Sequence, residues 1–75
     1  MFNQSLFSER LLTLRKEKKL SQSQLAEQLS VSFHQVSKME KGQRAASIEV
    51  LCALADYFDV SLDYLVGRSD DPQRR

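Results

Sequence analysis

Five serines punctuate this chain, at Ser8, Ser21, Ser32, Ser47 and Ser61, and each stands just before residues whose apolar members recur at helical spacing. A serine so placed can accept, on its hydroxyl, a hydrogen bond from an otherwise unpaired amide of the first helical turn. Ser21 is followed by Gln24 and Ser32 by Gln35, the spacing at which the glutamine can return the bond. The serines therefore read as helix caps and not as nucleophiles. No stretch alternates apolar and polar residues over the length of a strand, so the fold class is all-α.

The apolar stripes locate the helices. Phe7, Leu11 and Leu14 mark one near 8–18, and Leu25, Ala26 and Leu29 a second near 22–29. Val36 and Met39 mark a third near 33–41; Ile48, Leu51, Leu54, Ala55 and Phe58 mark a fourth near 48–58. Leu62, Leu65 and Val66 mark a short fifth near 62–66, with Gly42 and Gly67 where the third and fifth should stop. A chain of 75 residues allows one domain, and one this short buries only about 60% of its unfolded surface. The expectation is a compact five-helix bundle over residues 8–67. Residues 1–7 are expected to form an N-terminal arm, with Phe2 and Leu6 either folded onto the first helix or reaching a partner. From Ser69 onward there is no large apolar residue left to bury, and residues 68–75 are expected to be a disordered tail.

Several function classes drop out at this point. No apolar run approaches the ~20 residues of a membrane span, and the start lacks the basic and long apolar regions of a secretion signal. The expected compartment is the cytoplasm. The one cysteine, Cys52, excludes an internal disulfide and a cysteine-based zinc site; beside Leu51 it reads as a small, half-buried apolar residue. With one histidine, no metal-ligand cluster and no glycine-rich phosphate loop, neither an enzyme nor a cofactor is expected.

Charge is distributed unevenly. Residues 1–44 carry eight basic side chains against four acidic ones, net +4, whereas residues 45–75 carry three against six, net −3. Such an asymmetry suits a front half that meets a polyanion.

Only Ser30-Val31-Ser32 separates the second and third helices. Two short helices joined by about three residues meet at a steep angle and form a helix-turn-helix, whose second helix can lie in the major groove of DNA. On a wheel of about 100° per residue starting at Phe33, Ser37 falls near 40°, His34 near 100° and Lys38 near 140°. Val36 and Met39 fall on the opposite side, near −60° and −120°. The third helix thus has an apolar inner face and an outer face of Phe33, His34, Ser37 and Lys38. Lys38 suits guanine acceptors, His34 and Ser37 either donors or acceptors, and Phe33 a thymine methyl. Phe33 has an alternative place, tucked under the second helix as core. Phosphate contacts are expected from Gln22 and Ser23, which open the second helix with its positive end. Lys41, Gln43 and Arg44, on the glycine-containing loop after the third, are the other candidates.

These residues carry a family resemblance. Phe7, Leu11, Leu14 and Arg15 are followed by Leu20-Ser21-Gln22 with Leu25-Ala26, then by Val31-Ser32 with Val36, Met39, Glu40 and Gly42. Ser47-Ile48-Glu49 with Leu51 comes next, and Val60-Ser61-Leu62-Asp63-Tyr64-Leu65-Val66-Gly67 closes the string. In this order and register the chain resembles the phage-repressor, Cro/cI-type helix-turn-helix family from Phe7 to Gly67. The resemblance implies a transcriptional regulator that binds double-stranded operator DNA, as members of the family usually do, as a homodimer; repressor is the preferred reading, with activator and restriction-modification controller the alternatives that share this domain. It also implies an ion pair between Arg15 and Glu40 and a dimer contact near Leu62 and Tyr64. Leu12, Val50 and Tyr57, off the main core stripe, are available to the same patch. A pseudo-palindromic site follows, because one recognition helix covers too few base pairs for useful selectivity. The rival reading is a protein-interaction module of the same fold, an antitoxin bound to a toxin or the partner of an anti-repressor. Lys19 and Ser30 depart from the family's glycines, and a side chain in a left-handed turn costs roughly 1 kcal/mol. Ala46 stands where the family commonly has proline, which loosens the loop before the fourth helix.

Overall fold

The first helix begins at Gln4, one turn before the serine expected to cap it. The computed structural model describes residues 2–74, which form five helices and no strand. They are α1 (Gln4–Glu17), α2 (Gln22–Leu29), α3 (Phe33–Glu40), α4 (Ile48–Phe58) and α5 (Leu62–Leu65). Ser21, Ser32, Ser47 and Ser61 cap α2 to α5, each accepting from the amide three residues on. At Ser21 the exchange is reciprocal, the serine amide donating to Gln24 Oε1 at 2.8 Å. At Ser32 the bond runs one way, from the Gln35 amide to the hydroxyl at 3.1 Å.

Ser8 does something else. Asn3 caps α1, accepting from the Leu6 amide at 3.1 Å, and Ser8 sits inside the helix at 8% exposure. Its hydroxyl lies 2.9 Å from the Gln4 carbonyl oxygen and 2.8 Å from that of Met39, so its single proton is shared between two acceptors. Residues 4–7 are therefore the first turn of α1 and not an arm. Phe2 folds back, its ring centroid 5.6 Å from that of Phe7, and the Asn3 amide donates to the Val66 carbonyl at 2.8 Å. Gly67 completes that junction: at φ +83 it is left-handed, and a Cβ there would come within 2.6 Å of the Asn3 Cβ.

Phe7 and Leu11 of α1, Leu25 of α2, Val36 and Met39 of α3, Leu54 of α4 and Leu65 of α5 are fully buried and meet in one core. Three α4 side chains depart from expectation. Val50, assigned to the dimer patch, belongs to the core, while Ile48, assigned to the core stripe, is 76% exposed as the helix's first residue. Cys52 is exposed and not half-buried, because it projects about 100° round the helix from Leu51.

The tail also departs from expectation. Residues 69–74 lie against the ends of α4 and α5, tied by polar groups that an apolar count does not register. The Arg10 guanidinium donates to the carbonyls of Tyr64 and Ser69 and pairs with Asp70 at 2.7 Å. The same group lies 4.1 Å over the Tyr64 ring. The Ser61 amide donates to the Pro72 carbonyl at 2.9 Å, and Arg74 reaches the Ala55 carbonyl and Asp56. Met1 and Arg75, the outermost residues of the expected arm and tail, lie outside the described residues.

Candidate nucleic-acid interface

The path from α2 into α3 begins at Ser30. Its left-handed conformation, φ 56 and ψ 41, ends α2, and the Val31 amide turns back to the Ala26 carbonyl at 3.0 Å. Ser32 then opens α3. Leu25 and Ala26 on α2 and Val36 and Met39 on α3 are all buried, which settles the rotation of α3 about its axis. Phe33 takes the open alternative at 45% exposure. His34 and Lys38 are exposed with it, and Ser37 is half-buried at the margin. The Phe33 and His34 rings meet edge to face, 5.6 Å between centroids.

A buried carboxylate anchors the far end of α3. Glu40 Oε2 accepts from Arg15 Nε at 2.6 Å, and Oε1 accepts from Arg15 Nη2 at 3.0 Å and from Gln22 Nε2 at 2.9 Å. Arg15 Nη1 donates to the Leu20 carbonyl at 2.8 Å. The two charged side chains are only 12% and 4% exposed. This paired-fork geometry is the strong form of an arginine–carboxylate contact. It ties α1, α2, α3 and the α1–α2 turn through one group.

Gln22 is therefore not a bare surface amide. One of its amide protons is held by Glu40, which leaves the second to donate elsewhere, and Ser23 beside it is exposed. Past α3, Lys41, Gln43 and Arg44 are all exposed. Gly42 at φ +75 turns the chain there, and the Gln43 amide bonds to the Lys38 carbonyl at 2.9 Å. Gln4 reaches this loop from α1, its Nε2 lying 3.2 Å from the Arg44 carbonyl oxygen. The four residues of the α3 face, the α2 start and the 41–44 loop thus stand on elements tied to one another. Leu62 is exposed at the start of α5, whereas Tyr64 is half-buried with Arg10 over its ring.

Three ties escaped the sequence reading: Gln22 to Glu40, Gln4 and Ser8 to the ends of the 41–44 loop, and Arg10 to the tail. Their partners lie 18 to 60 residues apart, beyond any periodicity. The one available signal was a serine whose position fits two roles. Among the described residues, no group of His, Cys, Asp and Glu could hold a metal ion, and no helix is long and apolar enough to cross a membrane.

The helix-turn-helix family model matches residues 11–65. A Bacillus subtilis HTH-type transcriptional regulator, YobD, is 36% identical over 67 residues, covering 89% of this chain and 60% of its own. A transcriptional regulator from Listeria innocua superposes with a TM-score of 0.80 at 42% identity, covering 87% of this chain and 61% of that one. This chain therefore spans about three fifths of either protein's length. The P22 c2 repressor, solved with a synthetic operator, also gives a TM-score of 0.80, at 31% identity over 85% of this chain and 97% of its own. Matched along most of its length in sequence and backbone, the chain belongs to the helix-turn-helix family of Cro/cI type.

Proposed function

We propose that this chain is a sequence-specific DNA-binding transcriptional regulator that acts in the cytoplasm as a repressor. It lays α3 in the major groove of a pseudo-palindromic operator. The observation that carries this reading is the outer face of α3. Phe33, His34 and Lys38 stand exposed in a row, with Ser37 at their edge, on a helix whose other side is locked by Val36, Met39 and Glu40. A solubilising face would not need an exposed phenyl ring at its leading end. The likeness to a repressor solved on its operator supports the same reading.

In this arrangement Lys38 and His34 donate to base edges, Ser37 donates or accepts, and Phe33 contacts a thymine methyl. Gln22, Ser23, Lys41, Gln43 and Arg44 hold phosphates on either side, setting register without reading sequence. A second copy related by a two-fold axis reads the adjacent major groove, about 34 Å away. Exposed Leu62, with Tyr64, is proposed as the contact between copies.

Selecting bound sites from random DNA provides the operator for the test. Lys38→Ala is expected to lose about 1–3 kcal/mol of preference for that site over random sequence. An unchanged ratio removes Lys38 from the base readers. Sedimentation with a full site and with a half-site tests the dimer, which predicts two chains per full site. One chain per duplex with equal affinity for both would leave a monomeric reader.

A further inference from the structure

We infer that Gln4 and Ser8, on α1, are positioning residues for the phosphate-contacting loop 41–44, a role that rests on the DNA-binding reading above. Neither side chain belongs to the interface itself. Their hydrogen bonds form one connected chain: Gln4 Nε2 lies 3.2 Å from the Arg44 carbonyl oxygen and 3.3 Å from Ser8 Oγ, and Ser8 Oγ lies 2.8 Å from the Met39 carbonyl oxygen. Met39 is in the last turn of α3 and Arg44 is at the far end of the loop. The pair therefore grips both ends of a segment whose middle, Lys41 to Gln43, is exposed.

The physical reasons for such a grip are specific. Inside a helix a serine is a mediocre residue, because its hydroxyl competes for backbone groups, and an alanine would suit the same space and favour the helix. The hydroxyl is nearly buried, so it must be satisfied, and it is satisfied by a carbonyl of α3 as well as by its own helix. The loop has no regular structure and two charged side chains, Lys41 and Arg44. A free loop would have to be ordered on meeting DNA, at a cost in conformational entropy. Its first half is turned back on α3 by the Gly42 and Gln43 amides, and with its far end also pinned at Arg44 the loop is ordered beforehand. Gly42 fits this account: a Cβ there would approach Ser8 Oγ to 3.5 Å, an ordinary distance, so its φ of +75 and not crowding is what requires glycine.

The test compares Gln4→Met, which keeps length and helix propensity but has no N–H, with Ser8→Ala, Lys41→Ala and Arg44→Ala in the full chain. Affinity for the selected site and for random DNA is measured across salt concentrations. The salt slope falls by about 0.9 for each phosphate that is no longer neutralised, which at 0.15 M salt is about fivefold in affinity. Gln4→Met and Ser8→Ala are each expected to weaken binding to both DNAs alike by about that factor and to flatten the slope. Amide hydrogen exchange over residues 42–46 should quicken, and the melting temperature of Gln4→Met should stay near that of the parent. A merely structural role would move melting without moving the slope.

If the Lys41 and Arg44 variants flatten the slope but Gln4→Met does not, the positioning role is overturned while DNA binding stands. Should none of the four alter the slope, the loop touches no phosphate and both readings of it fall. A changed preference between selected and random DNA in Gln4→Met would also overturn the inference, since the effect would then pass through α3. Ser8→Ala can destabilise the fold on its own, and Gln4→Met decides the matter in that event.

Discussion

Helices α3 and α4 are both amphipathic, yet they are fastened by different means. α4 has 11 residues and buries five apolar ones; α3 has eight and buries two, Val36 and Met39. Burial is a strong but non-directional force, sufficient to attach a helix without specifying its orientation closely. α3 must leave a full side open, so it has little apolar area with which to be attached. It is instead held by directional bonds: the Glu40 carboxylate receives both Arg15 and Gln22. Attachment and aim are thus separate problems in this domain. α4 solves the first with hydrocarbon, and α3 solves the second with polar groups carried on α1 and α2.

The sharpest way to break this division is Arg15→Ala. Removing one partner of a buried ion pair costs about 3–5 kcal/mol, because the other charge is left without its counterpart. In a domain with about 5–15 kcal/mol in total, urea unfolding should show most of the stability gone. Replacing both partners, Arg15→Met with Glu40→Met, should restore much of it, since apolar replacement of a whole buried pair is often neutral or better. Discrimination between selected and random DNA should nevertheless stay low in the double variant. Recovery of full discrimination would show that burial alone aims α3.

Leu54→Ala probes the other side. Leu54 is fully buried on α4, and truncation of such a leucine costs about 2–5 kcal/mol. The protein should unfold at lower urea concentration, while the fraction still folded keeps its preference for the selected site. A shift of base preference here, with none in the double variant of the ion pair, would invert the roles assigned to α3 and α4.

The smallest effect expected is a gain. Ser30→Gly relieves a left-handed residue at the α2–α3 turn, worth roughly 1 kcal/mol before the greater unfolded freedom of glycine offsets part of it. In a domain of this size that corresponds to a rise in melting temperature of up to about 4–8 °C, with DNA preference unchanged. A fall in stability would mean that the serine side chain stabilises the turn.

Much of this architecture is legible in the sequence because it is local. Four of the five caps and the five helices follow from neighbours within four residues, while the left-handed turns at Lys19 and Ser30 come from the family resemblance. The errors have physical causes. Asn3 and Ser8 are both good caps, four helical residues lie between them, and Phe7 marks a helical stripe from either start. Asp59 takes a left-handed φ of 55, which aspartate tolerates better than most residues and which no glycine advertised. Val50 and Ile48 exchange places because α4 meets the core at a rotation set by its neighbours. The α3 face was readable since two buried residues fix it by simple periodicity. Pairings such as Arg10 with Asp70, 60 residues apart, depend on the assembled fold and leave no local trace.

The junction of Asn3 with Val66 and Gly67 has a consequence for the chain as a piece of topology. The cap of α1 and the glycine turn after α5 meet, joined by one hydrogen bond of 2.8 Å, and a Cβ at Gly67 would crowd that of Asn3. The domain is therefore a nearly closed ring and not a line. A linker that runs from beyond the tail back to Asn3, leaving the contacts of residues 69–74 in place, would close it, and the ring could then be opened elsewhere to give a permuted chain of the same fold. The α1–α2 turn at Lys18-Lys19, exposed and outside the residues proposed to meet DNA, is a place to open it.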